Sequence, residues 1–279
     1  MRSNWKIYLL YFTHIIIALL LIFPLLFAII SSFRPLDDVF RYVSPVTWKT
    51  FIPLNFTLQA YISLFMERNF GSVILNTFFV SIVTVVFGIF INSMAAFAFA
   101  KFEFKGKRLL FFIVLLTFML PFEIISIPLY NIVNRLGWID SYYALIVPSV
   151  ANGMVIFLFR QFFLDIPDSL LESARIDGAT WFWIYFRIIM PLSKPVTVSA
   201  ALLIFIYQWE SFLWPLIATR TEKYRVIQIA ISYLTTEFGT YWNEIFAATI
   251  VAVIVPVLLL LFLQRYFVQG ITSTGMKEG

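Results

Sequence analysis

Six long apolar segments dominate this sequence and limit the folds that it can adopt. They cover about residues 7–30, 73–100, 109–130, 142–159, 196–218 and 245–268. A helix that crosses a bilayer needs about 20 mostly apolar residues. Inside lipid, the polar groups of the backbone are satisfied only in helices or in closed barrels. We therefore predict an all-α membrane protein, with six transmembrane helices in one domain that spans residues 1–279.

The composition agrees with a membrane protein. The chain is 61% hydrophobic and 13% charged, with a mean hydropathy of +0.91, whereas a soluble domain carries about 25% charged residues. The first apolar segment is too long for the core of a signal peptide, and no small-residue cleavage site follows it. We predict that this segment is retained as a spanning helix, with a kink at Pro24.

The basic residues are distributed unevenly between the loops, which indicates how the chain is oriented. The N-terminus and the second and fourth loops are rich in lysine and arginine, whereas the short third loop carries only Arg135. Basic residues collect on the cytoplasmic side, most reliably in short loops. We predict that both termini and the fourth loop are cytoplasmic, and that loops 33–72 and 219–244 face outward. Three basic residues of the fifth loop oppose this prediction without reversing it: Arg220, Lys223 and Arg225.

Side chains that could perform catalysis are scarce. The chain has no cysteine and a single histidine, His14, which excludes disulfides, thiolate zinc sites and most histidine-based sites. The spacing of Gly270 and Lys277 approaches that of a P-loop, but Met276 intervenes and Glu278 stands where the hydroxyl residue is needed. We therefore predict no catalytic residue, no metal, no cofactor and no nucleic-acid partner for this chain.

Residues 165–195 form a polar loop between the fourth and fifth apolar segments, and its first half predicts a short helix. Ser169 and Glu172 have the spacing of a capping box at the start of that helix. Gly178 can adopt the left-handed conformation that ends it. A polar helix at the end of a transmembrane bundle can be bound and displaced by a soluble partner. An ordinary interfacial loop with good caps is the alternative explanation.

The second half of the loop predicts an aromatic helix that lies along the membrane surface. Thr180 can cap a helix over Trp181–Met190, whose tryptophans and tyrosine suit the headgroup level. Pro191 and Pro195 then interrupt the helix before the fifth span.

The loop resembles the EAA loop of ABC-importer permeases, whose pattern runs Glu-Ala-Ala, then Asp-Gly-Ala, then Ile-x-Leu-Pro. Those positions hold Glu172-Ser173-Ala174, Asp177-Gly178-Ala179 and Ile188-Ile189-Met190-Pro191. Nearly the whole chain is similar to the MalG-type permeases of carbohydrate-importing ABC systems. Other similar stretches are 76–77, 101–107, 119–121, 140–142, 159–163, 209–216 and 264–270. The chain departs from the family pattern at Ser173, at Met190 and in the tail 275–279.

The resemblance implies the architecture of a type I ABC importer permease, with a cytoplasmic coupling helix in a bacterial or archaeal inner membrane. It also implies a second permease subunit, usually a different chain, two ATP-binding cassette subunits that bind ATP and Mg, and an extracytoplasmic solute-binding protein. The residues implied in coupling to the ATPase are Glu172, Ser173, Ala174, Asp177, Gly178 and Ala179. In the cytoplasmic tail 270–279, Gly275 and Lys277 are implied to contact the ATPase.

Several polar or aromatic residues inside the apolar segments are candidates for a substrate path. They are Glu123, Asn152, Gln208, Trp209, Glu210 and Trp214. A carboxylate at the centre of a bilayer costs about 2.5–3.5 kcal/mol on insertion scales, so it needs a polar cavity or a partner. A sugar substrate needs hydrogen bonds and aromatic faces, which these residues can provide. A structural hydrogen bond between helices remains the alternative for each of them.

Two other classes of function stay open from the sequence. A secondary transporter would work without an ATPase, but it needs coupling carboxylates and usually an internal repeat, and the six segments show no clear repeat. A membrane-embedded enzyme needs a catalytic constellation, which the chain lacks. An importer of a sugar or related solute is the function that we predict, and the sequence does not specify the solute.

Overall fold

The computed structural model describes residues 5–43, 45–236 and 239–275, and these residues are predominantly helical. The α-helices are Trp5–Ser32 (α1), Gln59–Ile62 (α2), Phe70–Lys101 (α3), Lys107–Met119 (α4), Phe122–Arg135 (α5), Tyr142–Val150 (α6), Gly153–Leu164 (α7), Asp168–Ile176 (α8), Trp181–Ile184 (α9), Met190–Leu192 (α10), Lys194–Trp209 (α11), Leu213–Ala218 (α12), Ile227–Ser232 (α13) and Trp242–Gly275 (α14). Single turns of 3-10 helix lie at Leu36–Asp38, Trp48–Thr50 and Glu222–Tyr224, and π-helical turns at Ser63–Glu67 and Tyr185–Ile189. Strands β1 (Thr235–Thr236) and β2 (Gly239–Thr240) form a small antiparallel hairpin.

The chain divides into two compact units, and the first comprises Met1–Ser72 and Ala230–Val255. A buried arginine organises the loop that follows α1. Arg34 is 1% exposed, and its Nη2 donates to the carbonyl oxygens of Lys49 (2.6 Å) and Thr50 (2.9 Å). Asn55 donates to the carboxylate of Asp38 at 2.7 Å, and this bond, the largest influence, holds the pKa of Asp38 below its usual value.

The second unit comprises Val73–Ile229 and Pro256–Gly279. Its core joins α3, α7, α9 and α11 through tightly packed apolar side chains. Phe159 and Phe163 on α7, Ile184 on α9 and Ala200 on α11 are all fully buried there. Within a membrane, close packing of this kind holds helices together, because lipid tails are as apolar as the side chains.

The six predicted spans correspond to continuous helices in some places and to broken ones in others. Segments 7–30, 73–100 and 245–268 lie within α1, α3 and α14, and segment 142–159 lies within the candidate span Tyr142–Leu164. Among the described residues, four helical stretches are long and apolar enough to cross a membrane. The number rises to six if two bent pairs are each one span, namely Lys107–Met119 with Phe122–Arg135 (104°) and Trp181–Leu192 with Lys194–Trp209 (83°).

The predicted third and fifth spans are therefore not continuous helices. The third breaks at Leu120, which is extended because it precedes Pro121 and a proline disfavours a helical residue before it. The fifth, predicted over 196–218, divides into α11 and α12 with a turn at residues 210–212. The backbone of residues 270–275, predicted as part of a flexible tail, continues α14, since one interior glycine costs a helix only about 1 kcal/mol.

The joint between α6 and α7 shows how a broken span satisfies its backbone. Asn92, fully buried on α3, donates from Nδ2 to the carbonyl oxygen of Val150 at 2.8 Å. Its Oδ1 accepts from the backbone N–H of Asn152, also at 2.8 Å. The Asn152 side chain in turn accepts from the N–H of Val155 and begins α7. Irregular backbone at membrane depth is tolerated when protein groups replace the missing helical bonds.

Candidate functional site

Helix α8 is attached at its first residues to the end of α3. Lys101 Nζ donates to the carbonyl oxygen of Ile166 (2.6 Å) and to Oδ1 of Asp168 (2.7 Å). The Lys101 side chain is only 4% exposed, whereas that of Asp168 is 75% exposed. The lysine is therefore an internal support, and the carboxylate reaches it from the surface.

The capping box predicted from Ser169 and Glu172 is wrong. The helix begins two residues earlier than a cap at Ser169 requires, at Asp168 with Pro167 as the N-cap residue, and no side chain caps it. Ser169 consequently lies inside the first turn, where its carbonyl oxygen accepts from Ser173 Oγ at 2.8 Å. The proline supplies the backbone angle and Lys101 supplies the polar contact, so the start of the helix needs no capping hydroxyl.

The end of α8 is a complete Schellman motif. Gly178 has φ +86°, which confirms the predicted left-handed turn. Its N–H bonds to the carbonyl oxygen of Arg175 (3.0 Å), and the N–H of Ala179 bonds to that of Ala174 (2.9 Å). Arg175 also donates to the carbonyl of Ala179 at 2.7 Å, and its guanidinium lies 5.2 Å from the ring centre of Trp181.

The aromatic helix after this turn begins where the sequence predicts. Thr180 Oγ1 accepts from the N–H of Trp183 at 3.2 Å, which confirms the predicted cap. The helix widens into the π-turn Tyr185–Ile189 and ends at Leu192. Within that turn, the hydroxyl of Tyr185 bonds to Ser93 on α3 at 2.7 Å, so this segment is attached to the same helix as α8.

The faces of α8 differ sharply. Leu171 is buried in the core of the second unit, and Ala174 and Ala179 pack against that core. On the opposite side, Ile176 is 86% exposed and Leu170 is 42% exposed. A groove of about 610 Å³ runs between α8 and α9. Of the residues predicted to couple to an ATPase, Ser173, Ala174, Asp177, Gly178 and Ala179 line this groove, and Glu172 is exposed beside it.

The predicted substrate-path residues near the end of α11 are mostly buried and already contact other groups of the protein. Trp209 is 1% exposed, stacked on Phe205 at 5.4 Å between ring centres and packed edge-on against Phe78 at 5.0 Å. Gln208 is also buried, and its Nε2 makes a long bond of 3.4 Å to the carbonyl of Leu145. In the described part of the chain, its Oε1 has no hydrogen-bond partner.

Trp214 makes a structural hydrogen bond between helices, which is the alternative that the sequence left open for the path candidates. Its Nε1 donates to the carbonyl oxygen of Ala144 at 2.8 Å. That carbonyl would bond to the residue four positions later in α6, but Pro148 stands there and has no N–H. The tryptophan therefore supplies the donor that the proline lacks. A proline inside an apolar segment was the available signal, because it leaves a carbonyl that some other group must satisfy.

The remaining path candidates occupy different environments. Glu210 ends α11 and is exposed, and Glu123 is exposed in the first turn of α5. Glu123 lies within electrostatic range of Tyr207, the residue before Gln208. Asn152, in contrast, is used in the joint between α6 and α7. The structure thus brings Glu123 towards the end of α11 and places Asn152 among structural contacts.

Asp140 fastens the connection between α5 and α6 to the end of α12. Its Oδ1 accepts from the N–H groups of Arg220 (2.8 Å) and Thr221 (2.9 Å), and its own N–H bonds to the carbonyl of Ala218. Desolvation raises the pKa of Asp140, but the bonds from Thr221 and Arg220 outweigh it and hold the pKa below its usual value. In the tail, Gly275 is the last residue of α14, and Lys277 lies outside the described residues.

Comparisons with known proteins agree on one family. Residues 85–273 match the sequence profile described as "Binding-protein-dependent transport system inner membrane component". The chain is 35% identical to the arabinooligosaccharides transport system permease protein AraQ of Halalkalibacterium halodurans, over 94% of this chain and 93% of AraQ. It is 33% identical to the sn-glycerol-3-phosphate transport system permease protein UgpE of Rhizobium meliloti, over 92% of each chain.

Solved structures show the same fold. A chain from the crystal structure of a bacterial ABC transporter involved in the import of the acidic polysaccharide alginate superimposes with a TM-score of 0.81. The identity is 23%, and the match covers 96% of this chain and 98% of that one. A second crystal structure, of a bacterial alginate transporter with a pentasaccharide-bound periplasmic protein, matches with a TM-score of 0.65 at 20% identity.

Proposed function

This chain belongs to the family of binding-protein-dependent transport system inner membrane components, and we propose that α8 is the surface through which an ATPase subunit drives it. It is a multi-pass permease subunit of an importer that works with a solute-binding protein, and it is not an enzyme. Membership of this family favours the importer over the secondary transporter, which would need no binding protein.

The exposed face of α8 is the observation that carries this proposal. Ile176 is 86% exposed on a helix that lies outside every candidate span. Exposed apolar residues indicate an interaction site when several occur together, and Leu170 on α8 and Phe182 and Trp183 on α9 are exposed as well. Since Lys101 holds one end of α8 and the Schellman motif fixes the other, a force on this face reaches α3 and the core of the second unit. Alternating access is largely rigid-body rocking, which such a rigid attachment supports.

The orientation and the partners complete the proposal. The distribution of basic residues favours cytoplasmic termini and a cytoplasmic α8 in a bacterial or archaeal inner membrane. Two ATP-binding cassette subunits bind ATP and Mg there, and a second permease subunit, a different chain, forms the pathway with this one. The tail residues Gly275 and Lys277 reach an ATPase subunit. The extracytoplasmic solute-binding protein meets the outward loops.

The transported solute is proposed to be a sugar or a related polyhydroxylated compound. The names of AraQ and UgpE, which refer to arabinooligosaccharides and to sn-glycerol-3-phosphate, support this class. Among the path candidates, the exposed Glu123 and Glu210 can accept hydroxyl groups, as can Oε1 of Gln208, which has no partner among the described residues. The structure around these acceptors is supported by three residues that already have protein partners, namely Trp209, Trp214 and Asn152.

A pair of matched glycines tests the coupling role. Gly137 ends α5 with the same Schellman bonds as Gly178, has φ +70°, and also meets open space where a Cβ would lie. Valine at either position adds no clash but forces a branched residue into the left-handed region, at a cost of about 1–3 kcal/mol. We expect Gly178→Val to abolish transport and the stimulation of ATPase activity by loaded binding protein, whereas Gly137→Val preserves both.

The measurement uses the complete importer reconstituted with its ATPase subunits and binding protein. Solute uptake and stimulated ATPase activity are compared between the two variants at equal amounts of assembled complex. Gly178→Asn serves as a second control, because asparagine tolerates the left-handed region, and it should retain most of the activity. Normal stimulation in an assembled Gly178→Val complex would reject the coupling role of α8.

A further inference from the structure

A second groove, separate from α8, lies where the connection between α3 and α4 meets α7. Its volume is about 820 Å³, which falls within the range of small-molecule sites. Three of the side chains that line it are basic, namely Lys107, Arg108 and Arg160, and one is acidic, Glu103. The lining therefore carries an excess of two positive charges at neutral pH.

The groove lies at the start of an apolar helix pair, which is where lipid headgroups are expected if the pair crosses the membrane. Helix α4 begins at Lys107, and the bent pair that starts with this helix is apolar enough to cross a membrane. One wall of the groove is formed by Leu109, Phe112 and Leu115, which follow each other along the first turns of α4. Leu109 is 64% exposed and Phe112 is 55% exposed. The basic mouth of the groove thus continues into an apolar wall that runs in the direction of the acyl chains.

The basic groups in the groove are held in place without being neutralised. Arg160 donates from Nε to the carbonyl of Phe99 at 3.3 Å, and its guanidinium lies 4.1 Å from the ring centre of Phe111. Neither Arg160 nor Arg108 forms an ion pair with a carboxylate in the described ranges 5–43, 45–236 and 239–275. Only Lys107 has such a partner.

That partner is a weak competitor for an anion. Lys107 Nζ contacts Glu103 at 2.7 Å, but Glu103 is 90% exposed to solvent. Solvent screens the Glu103 carboxylate and weakens its attraction to the lysine, so a ligand anion can compete for Lys107. The uncapped N-terminus of α4 adds a partial positive charge at the same place.

We infer that this groove binds the phosphate headgroup of an anionic phospholipid, such as phosphatidylglycerol or cardiolipin. Basic pockets between transmembrane helices are suited to such headgroups. The excess positive charge favours an anionic lipid over a zwitterionic one, and the apolar wall favours a lipid over a free phosphate ion. In this arrangement the phosphate lies between Arg108 and Arg160, and an acyl chain follows Leu109 and Phe112.

The test measures lipids that remain bound to the complete purified importer in native mass spectrometry, after equilibration with equal amounts of phosphatidylglycerol and phosphatidylcholine. Removing one basic charge should weaken retention of phosphatidylglycerol about fivefold. Arg108→Gln is the main variant, because Arg108 is exposed. Arg135→Gln is the matched control, because Arg135 is an exposed arginine at the far end of the same helix pair.

A variant with the opposite expected sign separates binding from damage to the fold. Glu103→Gln removes the only carboxylate of the groove, so retention of phosphatidylglycerol should rise rather than fall. Equal retention by Arg108→Gln and the unchanged protein, or no rise with Glu103→Gln, would overturn the proposal. Inorganic phosphate at about 50 mM is added as a competitor. Full displacement of the lipid by this phosphate would also overturn the proposal, because the groove would then be a site for free anions.

Discussion

The segment around α8 and the joint between α11 and α12 both carry side chains that the sequence assigned to function, but they use them in opposite ways. Around α8 the polar bonds hold the two ends of the helix, and the side chain of its last residue, Ile176, is exposed. At the joint, Trp209 and Trp214 are buried, and their side chains already contact other groups of the protein. The first arrangement is a rigid surface to which a partner can bind, and the second is an internal support.

This difference shows that residue type alone does not distinguish a residue that contacts a partner or solute from one that supports the protein's own structure. A tryptophan in an apolar segment is suited to a sugar and equally suited to a carbonyl left free by a proline. Position relative to a broken helix decides between these roles, since every break releases backbone groups that need partners. Substitutions at three places in the molecule test whether the comparison holds.

The largest effect is expected at Trp214. Trp214→Ala removes a buried aromatic ring and leaves the Ala144 carbonyl unpaired, which should cost about 3–5 kcal/mol. Trp214→Phe keeps most of the ring and loses only the N–H, so it should cost about 1–3 kcal/mol. Thermal unfolding of the detergent-solubilised importer measures both. If Trp214→Ala leaves the melting temperature unchanged and only raises the KM of uptake, then Trp214 is a substrate contact and the comparison fails.

A smaller effect is expected at the start of α8. Lys101→Met keeps the length of the side chain but leaves the Ile166 carbonyl without its donor, at a cost of about 1–3 kcal/mol. Asp168→Asn removes only the exposed partner of the lysine and should cost at most about 1 kcal/mol. Hydrogen exchange of the amides in residues 168–176 reports the loosening. Equal protection in both variants would show that Lys101 does not hold this helix.

The smallest effect on stability is expected at Gln208. Gln208→Leu removes an oxygen that has no partner in the described residues and one long hydrogen bond, so the free energy of unfolding should change by less than about 1 kcal/mol. Uptake should nevertheless fall several-fold, because the proposed acceptor for the solute is lost. Unchanged uptake together with unchanged stability would remove Gln208 from the substrate path.

The parts of the structure that the sequence predicts are those controlled by near neighbours. Gly178 and Thr180 act on residues within four positions, and both were assigned correctly. The break at Pro121 is local too, because a proline disfavours a helical residue before it, although segment 109–130 was predicted as one span. The capping box at Ser169 failed because Lys101, more than sixty positions earlier, supports the start of α8 instead. No local pattern marks that contact.

The joint between α11 and α12 illustrates the same limit. The turn at residues 210–212 contains no proline or glycine, so no helix-breaking residue marks it, although Glu210 and Ser211 are polar. Its geometry depends on Trp214 and on Ala144, which lie 70 positions apart. The family resemblance predicted the fold and the importer class because it summarises such distant contacts. It did not predict which path candidates are occupied by the protein's own backbone.

The bare side chain of Ile176 also has a consequence for how cells make this protein. A copy synthesised without its partners displays Ile176 and Leu170 on a helix outside the candidate spans. Chaperones and proteases continuously sort proteins that expose surfaces of this kind. Surplus copies should therefore be removed while assembled ones persist, so that the abundance of the permease follows that of the proposed ATPase subunit. The exposed Ile176, which supports the proposed docking site, would thus also help the cell to control the stoichiometry of the subunits.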